Sequence, residues 1–448
     1  MSLLVLINLT MKQKFSFYNY CFSHNKKNFL YNILSTSLVE VDDKILYAFK
    51  QNDVSLVPLE YMAAMRQEGF IVDFNIDEKL IYKEYFDYAR FSSQGLMINF
   101  IPSYNCNLAC PYCIQGHNKS CKKMSISEVS AVIKFAEQQI LESKGRIKGI
   151  FPFLYGGEPM LSKQELIFFC SEIKRISDLH GIKPNYTMTS NMTLFDDSML
   201  DMMREYQIHV QVSIDGLKEE HDKRRIYKNG QGTYDIIINN LKKLCAAGLK
   251  HLITIRLNID KDNLKHAEEI FNSVKEYSDD VYFGYLREYS DLNANYKNDC
   301  IAVDKYYDIT TEVFDEILKK NNRLLYPSLG KKSPCSINSE NKFFIDPYLN
   351  VYKCDMLLNQ PECRAGTLDL DGNFHKEAGY YQQMSFSPFE FEKCRNCKYL
   401  PICGGGCPGK KYGDRKAKDG NIMFYDCTHN EKILLTYLKN YVDRHEEE

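Results

Sequence analysis

Six times between residues 95 and 290 a short strand-like run ends in a cluster of polar residues, with amphipathic helical runs between them. The strand-like runs read GLMINFIPS, GIFPFLYGG, NYTMTSN, IHVQVSIDG, HLITIRLNI and VYFGYLREY. Parallel strands need a crossover of about a dozen residues or more, which a helix supplies. The repeated β-then-α units therefore predict an α/β fold with helices outside a parallel sheet. Either an open doubly wound sheet or a partial (β/α)6 barrel of TIM type fits. Helix starts are marked at Ser125-x-x-Glu128, which puts Val129, Val132, Ile133, Ala136 and Ile140 on one face, and at Ser162-x-x-Glu165.

The polar clusters locate the chemistry. Cys106, Cys110 and Cys113 follow the first strand and Gly156-Gly157-Glu158-Pro159 the second. Asn191 ends the third strand, Ser213-x-Asp215 the fourth, Asn258 and Asp260 the fifth, and Arg287-Glu288 the sixth. All lie at the carboxyl ends of strands, where loops build active sites in barrels and open α/β sheets alike.

Lys and Arg total 57 against 59 Asp and Glu, so charge predicts neither nucleic acid nor an anionic membrane surface as partner. The opening MSLLVLINLT lacks a basic flank and is too short to span a bilayer; the expectation is a cytoplasmic protein without a membrane segment. Sixteen cysteines would suggest disulfides in a secreted chain. Here ten fall in two groups, the triplet and then Cys335, Cys354, Cys394, Cys397, Cys403, Cys407 and Cys427, which argues for metal.

Three thiolates on a four-iron cluster leave one iron without a protein ligand. Such an iron can chelate the amino and carboxylate groups of S-adenosylmethionine. The C-x3-C-x2-C triplet after the first strand, GGEP after the second and SIDG at the fourth together resemble the radical SAM superfamily. The resemblance implies a [4Fe-4S] cluster on Cys106, Cys110 and Cys113, which cleaves S-adenosylmethionine reductively to a 5′-deoxyadenosyl radical. It implies that Tyr112 meets the adenine and that Gly156, Gly157, Glu158 and Pro159 serve the methionine amino group. Asn191, Ser213 and Asp215 match positions near the ribose and carboxylate, and Arg225 stands where the family places a carboxylate-binding arginine.

Cys394-x2-Cys397-x5-Cys403-x3-Cys407, with the later Cys427, resembles the SPASM extension, which carries two auxiliary [4Fe-4S] clusters. By that resemblance Cys394, Cys397, Cys403 and Cys427 hold one cluster and Cys335, Cys354 and Cys407 the other, interleaved as in two-cluster ferredoxins. A structural zinc ribbon is the alternative. Where the family has glycine, five residues before the cysteine matched by Cys354, this chain has Leu349. The fourth ligand of that cluster stays open between Cys300, Cys363 and a substrate thiolate. Asp355 matches the aspartate proposed as proton acceptor in anaerobic sulfatase-maturing enzymes, a close branch, and a plain hydrogen-bonding role competes with that reading.

Sulfatase-maturing enzymes begin almost at their triplet, whereas nearly a hundred residues precede it here. FLYNILSTSLVEVDDKILYAF reads as a hairpin turning at Asp42-Asp43, and LVPLEYMAAMRQEGFIVD as a helix stopped at Gly69 before a short strand. The layout is similar to leader-peptide-binding modules of peptide maturases, or to a structural cap on the barrel. The expected organisation is a small N-terminal α+β module over 1–92, a radical SAM partial barrel over 93–300 and a loop-rich SPASM domain over 301–448. The expected activity is oxidative cross-linking of a ribosomally made precursor peptide, with electrons from a donor such as flavodoxin or ferredoxin. Formylglycine formation on a sulfatase is the alternative, and an iron–sulfur or zinc electron carrier is the reading of another class.

Overall fold

A computed structural model of the chain describes residues 12–113, 115, 122–286, 299–302, 305, 308–322, 334–358, 360–409 and 430–446. The opening apolar run, Arg287-Glu288 and Cys427 lie outside these residues.

The described chain opens with β1 (Gln13–Phe15), β2 (Asn19–His24), β3 (Lys27–Asn32) and β4 (Leu38–Val41), and β5 (Ile71–Asp73) returns antiparallel to β1. Strands β2, β3 and β4 form one antiparallel sheet. Alternation along a strand sends successive side chains to opposite faces. Leu30 and Val41 accordingly pack with Ile45, Ala48, Met65 and Phe70 on one side. Tyr20, Phe22, Phe29 and Tyr31 pack on the other against Phe389, Cys394, Leu400 and, from the helix Asn430–Glu446, Leu434, Tyr437 and Leu438. The module therefore sits on the cysteine-bearing C-terminal segment.

Asp42-Asp43 is not the hairpin turn. The β3–β4 turn falls earlier, and Asp42 caps the helix Asp43–Gln51 through its carboxylate, which accepts the Ile45 N–H at 2.9 Å. An aspartate before a run with apolar residues at helical spacing is a helix start as readily as a turn. The second helix forms as expected over Leu59–Gln67, with Gly69 at φ 81° beyond it.

The six strand runs become β6 (Gly95–Phe100), β7 (Gly149–Leu154), β9 (Thr187–Ser190), β10 (His209–Ile214), β11 (Ile253–Ile259) and β12 (Asp280–Tyr285), with a two-residue β8 (Lys183–Pro184) beside β7. All pair in parallel and stand side by side in chain order. A doubly wound sheet reverses its strand order at a switch point. This one does not, and the partial-barrel reading holds. The sheet stays open because β13 (Lys342–Ile345) occupies the outer edge of β6 in parallel, followed by antiparallel β14 (Asn350–Tyr352), β15 (Gly366–Leu368) and β16 (Phe374–Lys376).

Helix Ile126–Glu142 starts at the expected capping box and buries Val129, Val132, Ile133, Ala136 and Ile140. The second expected box does not form. Glu158 instead caps a short 3-10 turn, Pro159–Ser162, ahead of the helix Lys163–His180, and Glu165 pairs with Lys123 at 2.8 Å.

Leu349 takes a left-handed φ of 61° in the turn from β13 to β14, where its N–H reaches the Asp346 carbonyl at 2.9 Å. That conformation costs an L-residue about 1–2 kcal/mol. The side chain is nevertheless buried in the main core, and truncating a buried leucine costs about 2–5 kcal/mol. Packing outweighs strain, so Leu349→Gly is expected to lower stability by about 2 kcal/mol net, read as a fall of several degrees in melting temperature.

Candidate active site

The carboxyl ends of β6, β7, β9, β10 and β11 converge through hydrogen bonds. From β6 the chain runs through Ser103, Tyr104 and Asn105 into the cysteine triplet, and GGEP lies flush on that run. Gly157 N–H donates to the Ser103 carbonyl at 3.2 Å and Glu158 N–H to the Asn105 carbonyl at 2.8 Å. A Cβ on Gly157 would stand 2.2 Å from the Asn105 carbonyl oxygen, so only glycine fits there.

Glu158 is buried at 1% exposure. One carboxylate oxygen accepts from the Met160 N–H at 3.0 Å and the Ser190 hydroxyl at 2.9 Å; the other accepts from the Asn191 N–H at 2.7 Å. Burial raises its pKa, and those donors oppose the rise. Glu158 thus ties β7 to β9 with much of its acceptor capacity already used. Asn191 continues the chain of contacts: its amide donates to Asn107 Oδ1 at 2.9 Å and lies 3.8 Å from Cys106 Sγ.

Asp215, fully buried just past β10, is the hub of the other side. Its carboxylate accepts from Tyr112 OH and, at 2.9 Å, from Asn258 Nδ2, with Arg225 Nη1 at 3.8 Å. Arg225 Nη1 also donates to Tyr112 OH at 2.9 Å, so Tyr112, Asp215 and Arg225 form one network. Arg224 backs it, donating to the Asp215 carbonyl at 2.9 Å and pairing with Asp260 at 2.6 Å. Ser213 is buried on β10 beside them.

Two features fit the group that the triplet implies. Burial pushes the Cys106 thiol up and the Cys110 thiol up to about 12, so the thiolate forms need cationic charge that cluster irons would bring. Arg225 Nε is buried with no hydrogen-bond partner, a donor suited to a carboxylate. Cys106, Cys110 and Cys113 would hold the cluster, with Arg225 and Asp215 facing its organic partner.

Sequence reasoning passed over three residues here. Tyr155, just before GGEP, lies beside Cys113 and Asp355, and burial followed by those two neighbours pushes its phenol up. Gln115, at 7% exposure, lies within hydrogen-bonding reach of that phenol. His221 is fully buried, and burial pulls its pKa down to about 4. A pair of polar residues flanking the motifs was the only signal for the first two. His221 carried none.

The His221 shift has a sign. Folding holds the imidazole neutral while the unfolded chain binds a proton below about 6.5. The stabilisation is complete above pH 6.5 and is lost as pH falls towards 4, an effect of about 3 kcal/mol at most. Between pH 7 and 5 the melting temperature is expected to fall more steeply for the wild type than for His221→Phe.

The C-terminal cysteines divide. Cys354 is buried, its thiol pushed well up by burial, then by Asp355, with the sulfurs of Cys335 and Cys407 contributing. A Cβ on Gly409 would stand 3.2 Å from Cys354 Sγ and 3.8 Å from Cys407 Sγ. Cys335, Cys354 and Cys407 are therefore neighbours. Cys363 is buried in the same apolar cluster as Cys354. Cys300 is buried. Asp355 is half-buried, with Oδ1 3.6 Å from Cys354 Sγ and accepting the Met356 N–H at 3.0 Å. Cys394 is buried, and Cys403 lies close enough to Cys397 to raise its thiol further after burial has done so. Among the described residues no His, Cys, Asp or Glu group is gathered tightly enough for a single metal ion, a closeness that a cube with thiolates on separate irons does not require. No described helix is long and apolar enough to cross a membrane.

The family model of the radical SAM superfamily matches residues 100–274. A cysteine-type anaerobic sulfatase-maturating enzyme of Clostridium perfringens is 24% identical over 357 residues, 72% of this chain and 91% of that one. Mycofactocin maturase MftC of Mycolicibacterium smegmatis is 21% identical over 337 residues, 71% of this chain and 79% of that one. Among solved structures, native anSMEcpe with bound AdoMet and Cp18Cys peptide aligns with a TM-score of 0.58 at 20% identity, over 78% of this chain and 97% of that one. Streptococcus suis SuiB bound to precursor peptide SuiA aligns at 0.52 and 17% identity, over 93% of this chain and 100% of that one. The strand-end constellation and the family match agree: residues 100–274 form a radical SAM domain, the chain is homologous to anaerobic sulfatase-maturating enzymes and to a mycofactocin maturase, and that superfamily implies a [4Fe-4S] cluster with S-adenosylmethionine.

Proposed function

We propose that this enzyme is a maturase that oxidatively cross-links a ribosomally made precursor peptide. One observation carries the reading: the buried carboxamide of Gln115 beside Tyr155, which itself neighbours Cys113 and Asp355. A carboxamide both donates and accepts, as does a peptide group, so a buried one at the site is suited to a peptide backbone. The bound cluster and S-adenosylmethionine supply a 5′-deoxyadenosyl radical. Tyr112, Asp215, Arg225 and the GGEP backbone orient the cofactor, with Asn191 and Ser213 beside them. Asp355 takes the proton released as the substrate loses its second electron. Cys335, Cys354 and Cys407 would hold one auxiliary cluster, and Cys394, Cys397, Cys403 and Cys427 another, which would accept that electron, while a donor such as flavodoxin or ferredoxin would supply the electron that cleaves S-adenosylmethionine.

The N-terminal module favours a peptide with a leader over a sulfatase. The fold shared with the SuiB–SuiA complex takes in 93% of the chain, against 78% for anSMEcpe. Both faces of the β2–β3–β4 sheet are covered, which leaves strand edges such as β4 for a leader strand to join.

The test is co-expression with short peptides encoded beside the gene, followed by mass spectrometry. A product lighter by two hydrogens and resistant to reduction supports cross-linking. An aldehyde trapped by hydrazine on a sulfatase sequence would replace this reading with formylglycine formation. Gln115→Ala is expected to raise the peptide KM about tenfold while cleavage of S-adenosylmethionine without peptide is unchanged.

A further inference from the structure

One imidazole joins two of the residues assigned to S-adenosylmethionine. His221 is fully buried in the helix Lys218–Arg224, which lies between Asp215 and Arg225 in the chain. Its Nδ1 accepts the Asp215 backbone N–H at 3.3 Å. Its Nε2 lies 3.1 Å from Thr233 Oγ1, and that hydroxyl donates its only hydrogen to the Arg225 carbonyl at 2.6 Å. Since the Thr233 hydrogen is already committed, Nε2 must be the donor to the hydroxyl, and Nδ1 must be bare to accept from Asp215. Both contacts require the same neutral tautomer, so the relay is self-consistent. The Tyr234 ring closes the pocket edge-on, 5.4 Å away.

We infer that His221 is a positioning residue for S-adenosylmethionine: acting through the main chain, it fixes Asp215 at the end of β10 relative to Arg225 beyond the following helix. The two side chains so fixed meet at Tyr112 OH, and the guanidinium presents its unpaired Nε from that position. The inference rests on the assignment of Asp215 and Arg225 to the cofactor made above. Shifting either backbone would spoil a network whose distances are set to a few tenths of an ångström.

The test is equilibrium binding of S-adenosylmethionine to the reconstituted enzyme, without reductant or peptide, by titration calorimetry. His221→Phe keeps the ring and loses both polar contacts. Its dissociation constant is expected to rise about tenfold or more, since the buried Asp215 N–H is left unmet and the contact to the Thr233 hydroxyl is lost. Thr233→Val keeps the bond to Asp215 and cuts the link to Arg225; a rise of about threefold to tenfold is expected. His221→Asn places an acceptor within reach of the Asp215 N–H and is expected to restore part of the affinity lost in His221→Phe. The KM for S-adenosylmethionine should rise in the same order while the peptide KM stays constant, a split that general loosening of the fold would not produce.

Asp215→Asn and Arg225→Ala serve as references. If these weaken binding while His221→Phe and Thr233→Val bind as the wild type does, His221 has no positioning role and the inference is overturned alone. If neither reference weakens binding, the assignment beneath it fails and takes the inference with it. Should His221→Phe not fold, Thr233→Val and His221→Asn decide by the same criterion.

Discussion

Cys110→Ala is expected to abolish cleavage of S-adenosylmethionine, with turnover falling by more than about a thousandfold. Outer partners of metal ligands are worth about 10–100-fold, and a direct ligand is worth more. The physical cause is specific to this pocket. Burial already pushes the Cys110 thiol up to about 12, so only a cationic cluster makes its thiolate affordable, and two remaining thiols cannot retain that cluster. The variant should lose about four irons per chain, from one four-iron cluster. Its melting temperature without metal should change little, because the triplet lies in a loop outside the main core. Deoxyadenosine formation under dithionite, measured by chromatography, checks the prediction.

Cys354→Ala is expected to separate the two halves of the chemistry. Cleavage of S-adenosylmethionine should persist within about threefold, while oxidised peptide product falls to background and about four irons are lost. The grouping of Cys335 and Cys407 beside Cys354 motivates this: removing the most buried of the three empties the site without touching the triplet. Gly409→Ala should act in the same direction more mildly, since its methyl would press on Cys354 Sγ from 3.2 Å. Peptide mass spectra and deoxyadenosine yields from the same reactions read both effects. Loss of both activities together would mean that Cys354 serves the fold rather than a separate cluster.

Legibility in the sequence followed the range of the interaction. The six parallel strands and their functional ends could be read because each is a local signal: an apolar run stopped by a polar motif. Strand β13 could not, since it joins β6 from some 245 positions away and no local pattern announces that pairing. Asp42 was misread as a turn because a turn and a helix cap use the same residue and are distinguished only by what packs next. Ser162 lost its capping role to Glu158, whose carboxylate also ties down Ser190 and Asn191, contacts that only the assembled sheet creates. Leu349 looked like a departure from a glycine position, and its positive φ shows that the backbone kept the glycine conformation while the core took the side chain. At the site, the named motif residues were visible as motifs. Gln115, Tyr155 and His221 were not, because their meaning lies in who faces them.

The most direct test of the account is the content of iron, sulfide and zinc per chain, measured on protein purified and reconstituted without oxygen. Three four-iron clusters predict about twelve irons, a matching amount of sulfide and no zinc. About four irons together with bound zinc would contradict the account: the radical core would stand, but the C-terminal cysteines would form a structural ribbon and the electron outlet assigned to them would be wrong.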